Sequence, residues 1–241
     1  MSDYGRVQEA VRRMHAALFA HLQACSAPAQ ASTSIENFSH SMRSKIDSLE
    51  FCLRLLSAIE WDKFWTGLTP SLPQGLAVSR MEDGIFLIHL NARDARAFVV
   101  ILVEHLASNA KNVTDVLAGL LNDLWSLRLS APQTNLENVY KVILQRNSSH
   151  PLAALFAPLV TGRTSWLAVS REVRNQSQHR DATQILKSDF GRACAPYLSR
   201  DLLPTIDESE RSLEVFCPRL VNRVYQFMEE ASSALCALPS L

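Results

Sequence analysis

Apolar residues recur at every third or fourth position over segment after segment of this chain, the period of helices that each bury one face and not the alternation of half-buried strands. Val7, Val11, Met14, Leu18 and Leu22 form the first such stripe, and Leu49, Cys52, Leu53, Leu56 and Ile59 form the second, running on toward Trp61 and Trp65. Between them a stretch rich in Pro, Ala, Ser and Thr, from Ser26 to Ser34, reads as a connector. Only 7 of the 241 residues are glycine, so few positions offer the backbone freedom that tight turns draw on. The pattern predicts an all-α fold, an antiparallel helical bundle with additional N-terminal helices.

Further along, Gly67 to Gly84 holds Pro70, Pro73 and Gly75 and reads as a long loop. The apolar run at 84–90 fits a short strand and a buried helix equally, because periodicity cannot separate them over so few residues. Helical periods resume over Ala92–His105 and Val113–Leu127, and Asn135 is placed to cap a helix striped by Leu136, Val139, Tyr140, Ile143 and Leu144. A proline-bounded apolar piece, Pro151 to Pro158, precedes a helix striped by Trp166, Val169 and Val173. After Asp181 the pattern is irregular until Thr205-Ile206-Asp207-Glu208, which has capping-box form. Leu213, Phe216, Leu220, Val224, Phe227 or Met228, and Ala231 then mark a long helix that Pro218 should kink or divide. The organisation expected is an N-terminal helical extension with its loop over 1–83 and a second helical domain over 84–241.

Charge excludes some functions and localises others. Basic and acidic residues number 24 each, so no global field draws in nucleic acid or an anionic membrane, and any polyanion site has to be local. The five cysteines, Cys25, Cys52, Cys194, Cys217 and Cys236, are scattered and read as buried thiols of a reducing compartment. No stretch approaches the roughly 18 uninterrupted apolar residues of a membrane span, and a cytoplasmic protein is expected. The histidines His15, His21, His40, His89, His105 and His150 lie on separate segments without ligand spacing, so no metal site is expected, and with no phosphate-binding glycine loop in the sequence no other cofactor is expected either.

One segment carries chemistry: Arg174-Asn175-Gln176-Ser177-Gln178-His179. Arg-Asn-x-x-x-His would arise about 0.02 times by chance in a chain of this composition. On a helical wheel at about 100° per residue, with Val173 at zero, Asn175 falls near 200° and His179 near 240°, while Arg174 lies at about 100°. Asn175 and His179 therefore share the side turned away from the stripe of Trp166, Val169 and Val173, and Arg174 flanks it. Between Arg163 and Arg192, six basic residues face three acids (Glu172, Asp181 and Asp189), a local positive surplus of the kind phosphate binding requires. Taken alone, His179 reads as a surface histidine at a helix end and Arg174 as a solvated charge beside Glu172. Their combination with Asn175, in that spacing and on that side, favours a site.

These six residues resemble the Arg-polar-x-x-x-His signature of the HEPN superfamily of small all-α proteins, and the similarity extends over roughly Ala92 onward. The resemblance implies a metal-independent RNA endonuclease, acting as a toxin or defence effector, in which motif helices of two protomers pack into one composite site. It assigns His179 the role of general acid or base, Arg174 that of phosphate holder, and Asn175 that of orienting the imidazole or donating to the phosphate. It also implies RNA as substrate, a homodimer through the motif helix, and a nucleotidyltransferase-type antitoxin as partner. The other reading it allows is a non-catalytic HEPN-like module that binds a protein partner or a nucleotide.

Overall fold

In the computed structural model of the protein, the residues described are 3–24, 29–59, 61, 76–81, 84–89, 92–179, 186–187, 197–199 and 206–236. The fold is all-α: eight α-helices among these residues, with two small antiparallel strand pairs. The elements are α1 (Asp3–Ala24), α2 (Ala29–Ser57), β1 (Leu76–Met81), β2 (Gly84–His89), α3 (Ala92–Leu124), a 3-10 turn (Ala131–Gln133), α4 (Leu136–Arg146), α5 (Pro151–Thr161), α6 (Trp166–His179), β3 (Leu186–Lys187), β4 (Tyr197–Leu198), α7 (Glu208–Arg211) and α8 (Leu213–Cys236).

Several expectations are corrected. The connector beginning at Ser26 gives way to helix from Ala29, because Ile35, Phe38, Met42 and Ile46 supply a buried stripe that starts immediately after it. The loop expected before Gly84 contains β1, which pairs with β2 in the register Leu76↔His89 to Met81↔Gly84, so the ambiguous run is strand. Ala92–His105 and Val113–Leu127 belong to one helix ending at Leu124; Leu106, Ala107, Ala110 and Val113 continue its buried face through the supposed gap. Near the C-terminal helix, Asp207 holds the N-cap position of α7, without a side-chain cap bond, and α8 starts after a break at Ser212. Pro218 lies within α8 and does not divide it. Thr205 lies outside the described residues.

The chain forms two compact units, each assembled from separated stretches. Residues 1–47, 109–168 and 222–241 make the first; residues 48–108 and 169–221 make the second. In the first, the predicted stripe of α1 is buried as Val7, Val11, Met14 and Leu18. Polar ties join its elements: the Tyr4 hydroxyl and Gln8 Nε2 both donate to Asp47 Oδ1, at 2.6 and 2.8 Å, and Ser34 Oγ donates to Asp123 Oδ2 at 2.9 Å. Ser232 Oγ on α8 donates to the Ala10 carbonyl on α1 at 3.0 Å. Asn135 caps α4 as expected, accepting from the Asn138 amide at 3.0 Å.

In the second unit Leu49, Cys52 and Leu56 of α2, Val103 and Leu106 of α3, and Cys217 and Val221 of α8 are buried. Burial pushes the Cys52 thiol up to about 11 and the Cys217 thiol up to about 12, the latter raised further by Cys52 nearby. Both are inert thiols, as expected from apolar surroundings. Cys236 departs from the expectation and is exposed, while Cys25 and Cys194 lie outside the described residues. Among the described residues no single helix is long and apolar enough to cross a membrane.

Candidate functional site

The helix that carries the motif is launched from a tight turn. After α5, the Gly162 amide donates to the Pro158 carbonyl at 3.2 Å and the Ser165 amide donates to the Gly162 carbonyl at 3.1 Å. A Cβ on Gly162 would stand 2.4 Å from that Pro158 oxygen, so the close approach of backbone to backbone requires glycine here. Ser165 then secures the start of α6: its Oγ donates to the Leu159 carbonyl at 2.9 Å and accepts from the Ala168 amide at 3.2 Å. One hydroxyl thus joins the end of α5 to the first turn of α6 and satisfies an amide that the helix itself leaves unpaired.

From Val169 onward the helix belongs to the second unit. Val169, Ser170, Val173 and Gln176 are buried along it, whereas Glu172 and Asn175 are exposed and Arg174 is half-buried. This is the arrangement the wheel predicts for Asn175 and Arg174. His179 is the last residue of α6, one helical turn beyond Asn175, and its side chain lies outside the described residues. Trp166 departs from expectation: it is only half-buried, and in the first unit its ring meets Phe227 edge-on with centroids 5.7 Å apart.

Gln176 is the motif residue that sequence reasoning overlooked. It is 8% exposed, and its Nε2 donates to Glu172 Oε1 at 3.2 Å. A buried amide satisfied one turn back along its own helix fixes the Glu172 carboxylate on the Gln176 side. The signal was its position, about 60° from Val173 and hence inside the apolar arc, which the polarity of the side chain obscured.

Chemically, this stretch offers a guanidinium whose planar fork suits phosphate oxygens and an exposed carboxamide able to donate or accept. Among the described residues no three of His, Cys, Asp and Glu come together to hold a metal ion. Comparison of the chain with family models, with curated proteins and with solved structures finds no match.

Proposed function

We propose that the protein is a metal-independent RNA endonuclease of HEPN type, working through a composite site formed by the α6 helices of two protomers in a toxin or defence setting. The observation that carries the reading is the division of α6 into a buried side anchored by Val169 and Val173 and an exposed side holding Asn175, with Arg174 between them. His179 follows Asn175 by one turn, so the rare Arg-Asn-x-x-x-His sequence lies on a single continuous helix.

In the proposed reaction one imidazole takes the proton of a ribose 2′-OH as its oxygen attacks the adjacent phosphorus. The bond from phosphorus to the 5′ oxygen breaks, and that oxygen receives a proton from the second imidazole, leaving a 2′,3′-cyclic phosphate. A histidine suits both roles because its unperturbed pKa, about 6.5, allows either form near neutrality. Two copies of His179 divide base and acid between them, and Arg174 holds the phosphate and offsets the charge growing on its oxygens.

The test is cleavage of single-stranded RNA with a chelator present. Wild type should cut; Arg174→Ala and His179→Ala should not, while keeping the circular dichroism and solution mass of wild type. A strictly monomeric wild type, or full activity in His179→Ala, removes the assignment. A stable complex with a partner protein and no cleavage would favour the non-catalytic module instead.

A further inference from the structure

A cavity of about 340 Å³ opens in the first unit where α3 ends and α4 passes into α5. Leu124, Trp125, Leu127 and Ile143 give it apolar walls, and Ser126 and Arg146 add polar groups. Its size falls at the small-ligand end of the usual range, and its pattern of apolar walls with a few polar groups is that of a ligand site.

The wall has an unusual backbone. The Leu127 amide donates to the Asn122 carbonyl at 3.0 Å and the Ser126 amide to the Asp123 carbonyl at 3.4 Å. This crossed pair is the Schellman ending of a helix, which places Ser126 at the position normally given to glycine. Ser126 accordingly has a φ of 47°, and Arg128 follows at 63°. Asn122 clamps the turn, its Oδ1 accepting from the Leu129 amide at 3.0 Å and its Nδ2 donating to the Leu129 carbonyl at 3.3 Å. A non-glycine residue held in left-handed backbone is a reason to look for function. Here it adds a hydroxyl to the lining that glycine would lack.

Charge selects the occupant. Arg146 is the one formally charged residue among those lining the cavity. Its Nη1 donates to the Trp125 carbonyl at 3.2 Å, and among the described residues no carboxylate pairs with it. This bond tethers the exposed guanidinium to the Trp125 backbone and leaves its other donors over. His150 forms the inner wall, edge-on to Trp125 with centroids 5.3 Å apart. Burial lowers its pKa, so at neutral pH the Arg146 guanidinium is the charge among the lining residues.

We propose that this cavity binds a small aromatic carboxylate, its ring against Trp125 and its carboxylate on Arg146 and Ser126. Planar bodies gain from stacking on an indole, and a carboxylate matches the guanidinium fork.

Calorimetric titration of the full chain with indole-3-acetate, benzoate and neutral indole tests this. Indole-3-acetate should bind one per protomer with a Kd below about 1 mM and indole at least about tenfold more weakly, a difference of about 1.4 kcal/mol. Arg146→Gln should remove that preference, Arg146→Lys should restore part of it, and Ile143→Trp should fill the cavity and abolish both. If neither aromatic acid binds below about 1 mM, or if binding is indifferent to Arg146→Gln in a variant of unchanged melting temperature, the proposal is overturned. Should Arg146→Gln unfold, Arg146→Lys with Ile143→Trp decides, because unaltered binding in both would place the ligand elsewhere.

Discussion

His150 accepts the Leu152 amide through Nδ1, at 3.2 Å, and so caps α5 with an imidazole in place of the usual hydroxyl or carboxamide. Accepting at Nδ1 leaves the ring proton on Nε2, a buried atom with no hydrogen-bond partner among the described residues. Protonating the ring would abolish the acceptor and place a charge in an apolar wall. Its pKa is accordingly lowered from 6.5 by burial. As pH falls through 6.5 the unfolded chain takes up the proton first, so this stability is present above that pH and is lost between it and the lower folded value. His150→Asn should keep the cap without the titration. Thermal unfolding at pH 7.5 and pH 5 should show a larger drop for wild type than for the variant, and equal drops would refute the role. His150→Ala should cost about 1 kcal/mol at pH 7.5.

Ser126 occupies left-handed backbone at the end of α3, where a side chain costs roughly 1–2 kcal/mol relative to glycine before the greater flexibility of unfolded glycine is set against it. Ser126→Gly should raise stability by up to about 1 kcal/mol and Ser126→Val should lower it. Chemical denaturation curves of the two variants measure the order, and a Gly variant weaker than wild type would contradict the turn geometry.

Gly162 has no room for a methyl group, since its Cβ would meet the Pro158 carbonyl at 2.4 Å. Gly162→Ala should therefore destabilise by about 1–3 kcal/mol as the turn opens. If the α6 motif acts as proposed, the same variant should also lose RNA cleavage at temperatures where its far-ultraviolet spectrum is still native. Melting temperature and activity together test the turn as the element that sets the helix in place.

Glu104, on α3, buries Oε1 without a hydrogen-bond partner among the described residues, and burial raises its pKa above 4.5. The unfolded carboxyl therefore ionises at lower pH than the folded one, and stability is given up as pH rises from 4.5 through the folded value. Glu104→Gln should be more stable than wild type at pH 7, by less than about 1 kcal/mol because the partly exposed carboxylate is screened by solvent, and indistinguishable from it near pH 4. A variant equally stable, or less so, at pH 7 would show that the carboxylate has a partner that compensates its burial.

The helical stripes were legible because each is written by large apolar residues, and Val7, Val11, Met14 and Leu18 are all buried where their spacing put them. Asn135 was legible for a similar reason, since a cap is a local bond between a side chain and an amide three residues on. What escaped notice depended on partners remote in sequence or on small residues. Ala107 and Ala110 carry the buried face of α3 across a stretch that hydrophobic size alone left blank. The strand Leu76–Met81 was hidden by the prolines before it, and it is a strand only because 84–89 pairs with it. In the candidate site, the exposed position of Asn175 followed from helical arithmetic, and the same arithmetic put Gln176 inside the apolar arc, where its polar side chain disguised its burial. The Arg146 cavity had no sequence signature, because a strained Ser126 in place of glycine disguises the turn that shapes it.

The bond from Ser232 to the Ala10 carbonyl joins residues 222 positions apart. During synthesis, α1 leaves the ribosome long before the strip of α8 it rests on exists. Its apolar stripe must then wait, temporarily wet or temporarily sheltered by something else. Closing so long a loop makes the arrival of α8 a late and slow event in folding.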